Sequence, residues 1–155
     1  MTPDPFAPGV LIRRLAALMA ADTTTGREDR GLDVLREVLI EAGGDVELVP
    51  VAPGRTNVLA RFGASPRALF TTHVDTVPPY IPPTVDGDVV RGRGACDAKG
   101  QIVAQLAAIE SLRAEGRDDV AWLGVVGEEA DSLGAKATET PAWRARLPDV
   151  QVVLN

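Results

Sequence analysis

Three short apolar runs do most to limit the folds open to this chain. Residues 68–73 form a largely apolar run of strand length, consistent with a buried central strand. Residues 120–126 form a second strand, and residues 150–154 begin a third. Between them run helical stripes. Val10, Leu11, Leu15, Leu18 and Met19 share one face after Pro8-Gly9. Leu32, Leu35, Val38 and Leu39 mark a second helix, starting near Arg27 or Glu28 and stopped by Gly43-Gly44. Ile102, Leu106 and Ile109 mark a third over about residues 98–114, ended by Gly116, and a weak helix is expected over 135–146. Val46, Leu48 and Val51 suggest a further strand, and residues 57–62 another. Pro78, Pro79, Pro82 and Pro83 forbid regular structure after residue 73, and a short strand returns over 88–91 behind the Asp86-Gly87 turn. Helices alternating with apolar strands predict an α/β layer fold.

The chain has 155 residues, enough for one domain, and 45% hydrophobic against 25% charged residues is a globular balance. Net charge is −6 and no basic cluster stands out, which argues against a nucleic-acid partner. A single cysteine allows no internal disulfide, so a cytoplasmic setting is expected. The opening Met1-Thr2-Pro3-Asp4-Pro5 lacks the features of a signal peptide, and Arg13 and Arg14 interrupt the apolar stretch that follows. Nothing approaches the roughly 20 apolar residues of a membrane span.

Ligands in α/β folds gather at the C-terminal ends of strands, and there the chemistry of this chain is concentrated. His73, the only histidine, ends the first apolar run, with Asp75 two residues on. An imidazole and carboxylates suit zinc, and also cobalt or manganese. In a division of labour, His73 ligates while Asp75 accepts the other ring N–H; a partly buried His–Asp pair is the plainer alternative. Asp97 lies between glycines in Gly92-Arg93-Gly94-Ala95-Cys96-Asp97-Ala98-Lys99-Gly100, just before the predicted long helix. It serves either as the helix N-cap or as a carboxylate able to bridge two metal ions. Glu128-Glu129 closes the second run, and in extended chain the two would point opposite ways, one to a metal and one to a water as general base. A solvated turn would hold them equally well. Cys96 invites a nucleophile reading, but the one histidine that would activate it is taken by the metal reading. Lys99 is either a solvated charge or a contact to an anionic group. The glycine-rich stretch lacks the pattern of a phosphate loop.

In this order and spacing, the set resembles the family of metal-dependent amidohydrolases and exopeptidases that includes acetylornithine deacetylase, succinyl-diaminopimelate desuccinylase, aminoacylase and carboxypeptidase G. His73-Val74-Asp75-Thr76-Val77-Pro78 looks like its first metal motif, residues 92–100 like its second and Gly127-Glu128-Glu129 like its third. The likeness runs from Thr24-Thr25-Gly26-Arg27-Glu28 to the end of the chain. It implies a three-layer sandwich with a mixed, mostly parallel central sheet flanked by helices. It implies two divalent ions, zinc first, with His73 on one, Asp97 bridging and Glu129 on the other. Glu128 would be the general base, Asp75 would orient His73, and the Asp97-Ala98 peptide would be cis. The substrate would be a small N-acyl amino acid or dipeptide, and Pro78-Pro79-Tyr80-Ile81-Pro82-Pro83 with residues 94–101 looks most like acetylornithine deacetylase-type members.

The resemblance also implies parts beyond these residues: a further acidic ligand, a final histidine, a lid or dimerisation domain, and further strands of the sheet. Residues 1–155 would then be the N-terminal part of the catalytic domain. The whole protein would be a homodimer, and the isolated chain would be inactive or nearly so, with an exposed apolar sheet edge. A non-catalytic remnant, or one subunit of a split enzyme with weak metal binding, is the alternative.

Overall fold

The computed structural model describes residues 4–155, so Met1–Pro3, part of the opening read above for a signal peptide, lie outside the described residues. Five strands form one mixed sheet: β1 (Asp45–Ala52), β2 (Arg55–Arg61), β3 (Ala68–His73), β6 (Val120–Val125) and β7 (Val152–Leu154), in the order β1-β2-β6-β3-β7. β1–β2 and β2–β6 are antiparallel, β6–β3 and β3–β7 parallel, so four strands share a direction and only β2 is reversed. Two further strands, β4 (Thr84–Asp86) and β5 (Val89–Arg91), make a separate hairpin.

Side chains alternate across the sheet as the pleat requires. Val58, Ala60, Val120 and Trp122 face one core, packed under α1 (Pro8–Ala20), α2 (Leu32–Glu41) and α3 (Lys99–Ala114). Leu59, Leu69, Ala121 and Leu123 face the other, smaller core, closed by Trp143 of α5 (Pro141–Arg144). Helices on both faces give the expected three layers. They also explain why β6 reads as a continuous apolar run. β7 stands at the sheet edge, and its Val152, Val153 and Leu154 are 52%, 59% and 43% exposed. Among the described residues, no helix is long and apolar enough to cross a membrane.

Several boundaries differ from the sequence reading. The helix expected over 135–146 is two pieces, α4 (Leu133–Ala137) and α5. Pro141 cannot continue a helix but suits the first position of a new one, and Thr140 caps it by accepting the Trp143 N–H at 3.2 Å. The second helix opens with a 3-10 turn over Glu28–Gly31 before α2. Thr84–Asp86 pairs with Val89–Arg91 as a strand that the prolines before it concealed. The run over 120–126 stops as a strand at Val125.

What matters for chemistry is the central parallel pair. β3 and β6 are in register such that His73 lies opposite Val125. The loops leaving both strands therefore emerge side by side, with α3 starting nearby. The pair rests on Trp122, which is fully buried and donates its indole N–H to Gln105 Oε1 of α3 at 2.8 Å. Trp122→Ala should destabilise the protein by about 3–5 kcal/mol, read from urea unfolding. A loss below ~1 kcal/mol would show that this packing is not what the sheet rests on.

Candidate metal centre

His73, at the last position of β3, is buried and points both nitrogens at acceptors. Nε2 lies 2.8 Å from Asp97 Oδ1. Nδ1 lies 3.0 Å from the Asp75 backbone carbonyl and 3.4 Å from the Asp75 carboxylate. The ring is thus steered on its Nδ1 side chiefly by the Asp75 carbonyl, rather than by the carboxylate alone.

Asp97 does not cap α3. The residue before that helix is Ala98, and no side chain caps it. The Asp97 carboxylate, largely exposed, turns to His73 instead. Asp97–Ala98 is a cis peptide, and so is Pro78–Pro79.

Glu128 and Glu129 lie on a tight turn beyond the end of β6, not in extended chain. The cause is Gly127, whose φ of +76° a side chain would resist, and whose carbonyl accepts the Ser132 N–H at 2.6 Å. The two acids still diverge in surroundings. Glu129 is half-buried, and its carboxylate joins His73 and Asp97 with all three ligand atoms within 4.8 Å of one another. Glu128 is exposed, with Oε2 3.9 Å from His73 Nε2.

The Asp75 carboxylate lies beneath this group, fully buried. It accepts the Thr25 hydroxyl at 2.7 Å and the backbone N–H groups of Glu128 and Glu129 at 3.1 and 3.2 Å. Thr25 comes from the loop after α1, which is stitched alongside Thr76 by backbone hydrogen bonds. Thr25 has no sequence signal beyond its place in the Thr24–Glu28 run. A second unforeseen residue is Asn57, polar and buried inside an apolar strand. A polar residue with no local partner in such a run is itself a signal. Lys99 is neither solvated nor paired to an anion: it is buried and donates to the Ala21 carbonyl at 3.0 Å. Burial lowers it to about 8, with Asp22 opposing.

The electrostatics are those of a crowded acid cluster. Burial pushes the Glu129 carboxyl up, and Asp97, Glu128 and Asp75 add to that, with His73 opposing. Burial also acts to raise Asp75, but hydrogen bonds from His73, Thr25 and the two amides outweigh it and hold Asp75 below its ordinary value. His73 itself is lowered by burial and raised more by Asp75 and Asp97, ending at about 9. The His73 Nε2 and Asp97 Oδ1 face each other at 2.8 Å. One imidazole nitrogen and two carboxylates, arriving from the end of β3 and from two loops, fit a divalent metal by donor type.

Without metal, the His73 ring should titrate near pH 9 by NMR, and Asp97→Asn should bring it down. Because the folded value of about 9 lies above the ordinary 6.5, the pairing stabilises fully below 6.5 and is lost as pH rises through 9. Thermal stability of metal-free protein should fall across that window, and less so in Asp97→Asn. Equal slopes in the two proteins would contradict the pairing.

Comparison with known proteins shows what the chain is similar to. A family profile described as Peptidase family M20/M25/M40 matches residues 69–153. A Peptidase M20 domain-containing protein of Schizosaccharomyces pombe is 37% identical over 134 residues, covering 81% of this chain and 34% of its own length. A LysW-lysine/LysW-ornithine hydrolase of Sulfurisphaera tokodaii is 32% identical over 122 residues, covering 79% of this chain and 33% of its own. The crystal structure of aminopeptidase PepT from Bacillus cereus matches with a TM-score of 0.76 at 22% identity, over 97% of this chain and 44% of that one, a likeness of fold. The chain spans about a third of the length of these curated relatives.

Proposed function

This chain belongs to the M20/M25/M40 peptidase family, and we propose that it holds divalent metal on His73, Asp97 and Glu129 for hydrolysis of an amide bond in a small N-acyl amino acid or dipeptide. One observation carries the reading: a ring nitrogen from the end of β3 and two carboxylate oxygens from two loops lie within 4.8 Å of one another. Zinc is the metal favoured, with cobalt and manganese accepting the same donors. Asp97, with two oxygens and an exposed outer side, would be the residue shared with a second ion.

Bound there, the metal supplies Lewis acidity to the amide carbonyl and acidity to the attacking water. The chain's own residues do the rest. Glu128, exposed beside the ligand group, takes the proton of the attacking water and returns it to the leaving amine. Asp75 fixes the Nδ1 side of His73, which leaves Nε2 as the coordinating nitrogen.

Within the family, the reading takes an acetylornithine deacetylase-type substrate, hence a place in amino-acid and arginine biosynthesis in the cytoplasm. The name of the Sulfurisphaera relative, a LysW-lysine/LysW-ornithine hydrolase, supports the ornithine part of that reading. Residues 1–155 form the N-terminal part of the catalytic domain, and the whole protein is a homodimer. Turnover belongs to that whole protein; the 155 residues alone bind metal weakly and turn over nothing measurable.

In the whole protein, Glu128→Ala should lower kcat on N-acetylornithine by about 10²–10⁴-fold with metal content retained. Asp97→Ala should lose metal by elemental analysis. Near-normal turnover in Glu128→Ala would overturn the division of roles.

A further inference from the structure

The turn that carries Glu128 and Glu129 is exposed at its tip yet fixed at its base, and the residues fixing it come from β2. Asn57 of β2 is 1% exposed. Its Oδ1 accepts the Val126 N–H at 3.1 Å, and its Nδ2 donates to the Gly134 carbonyl at 2.9 Å. Val126 and Gly134 are also joined directly, Gly134 N–H to Val126 carbonyl at 2.8 Å. One carboxamide therefore closes both ends of residues 126–134. The closure is tight: a Cβ at Gly134 would collide with Asn57 Oδ1 and with the Val126 backbone.

Two residues earlier on the same strand, Arg55 holds the far side of this loop. It donates to Asp131 Oδ2 at 3.1 Å, and to Glu28 Oε1 from Nε at 3.1 Å and from Nη2 at 2.9 Å. Glu28 is buried, and its second oxygen accepts the Gly26 N–H at 2.8 Å. That fixes the loop from which Thr25 reaches Asp75, and Asp75 in turn accepts the Glu128 and Glu129 amides. The chain of contacts closes on itself, from Arg55 through Glu28, Thr25 and Asp75 to the turn, and back through Asp131.

We propose that Asn57 and Arg55 are positioning residues, a clamp on the sheet's reversed strand that sets where the Glu128 and Glu129 carboxylates stand. This deepens the metal reading and rests on it for the meaning of those two carboxylates. The geometry gives Asn57 a requirement no other residue meets: an acceptor and a donor on one planar group, at one depth, for two ends of one loop. Asp lacks the donor and Leu lacks both. Arg55 likewise spans two acids that a single ammonium would not bridge in this arrangement.

The test uses hydrogen–deuterium exchange and zinc titration on the same proteins. In metal-free protein, Asn57→Asp and Asp131→Ala should each speed exchange of the Glu128 and Glu129 amides, by about tenfold or more. Each should weaken zinc binding by about 10–100-fold, as loss of a ligand's supporting contacts does. A cobalt-loaded sample should show an altered visible spectrum. If Asn57→Asp fails to fold, Asp131→Ala decides, since Asp131 is exposed and outside the core. Unchanged exchange in the folded variants overturns the clamp. So does faster exchange with wild-type zinc affinity and cobalt spectrum, which would leave Asn57 and Arg55 a stabilising role only. Glu129→Gln is the control for the metal reading: if it binds zinc like wild type, that ligand assignment fails, while the exchange result still decides the clamp.

Discussion

The buried carboxylate of Asp75 is the interaction on which the rest of this centre depends. A charge with no exposure must be compensated, or it costs more than the fold can offset. Here the compensation is a hydroxyl, two backbone amides and the edge of an imidazole. Each comes from a different place: the loop after α1, the turn after β6, and the end of β3. Satisfying one anion thus ties together three segments more than 20 residues apart in sequence. The price of burying Asp75 is a site whose parts cannot move independently.

The fold supplies the setting for that tie. Parallel pairing of β3 with β6 brings His73 opposite Val125, so the loops carrying Asp75 and Glu128 leave the sheet together. The reversed strand β2 lies on the other side of β6 and contributes no proposed ligand. It contributes Asn57 and Arg55, which reach the same turn from beneath. Above them, four carboxylates share one imidazole. The upward push on both Glu129 and His73 reflects the crowding of carboxylates around one imidazole. A divalent cation would relieve both at once.

Much of this was legible in the sequence. The α3 stripe, the apolar strands and the acids at their ends are local patterns, and local patterns survive in a single sequence. His73, Asp97 and Glu129 were each marked by position after a strand or a glycine-rich turn, and the structure brings their ligand atoms together. Membership of the family followed from their order. What could not be read depended on distant partners. Thr25 is 50 residues from the carboxylate it serves, and Asn57 is 69 residues from the amide it receives. Glu28 has nothing local to mark its pairing with Arg55, 27 residues away. The break in residues 135–146 was announced by Pro141 but lost beneath the weak helical pattern around it. Whether Glu128-Glu129 sits in extended chain or in a turn stays open in the sequence because Gly127 permits either, and the structure shows the turn.

The central claim is that the metal is held by one imidazole and carboxylates, with the neighbouring thiol of Cys96 uninvolved. X-ray absorption at the zinc edge, on protein loaded with zinc, tests it most directly. For this 155-residue chain, the account predicts a shell of nitrogen and oxygen only, at about 2.0–2.2 Å, with the outer scattering of the His73 imidazole, and a loss of oxygen ligation or of bound zinc in Glu129→Gln. A sulfur scatterer at about 2.3 Å, or a spectrum without imidazole, would contradict it.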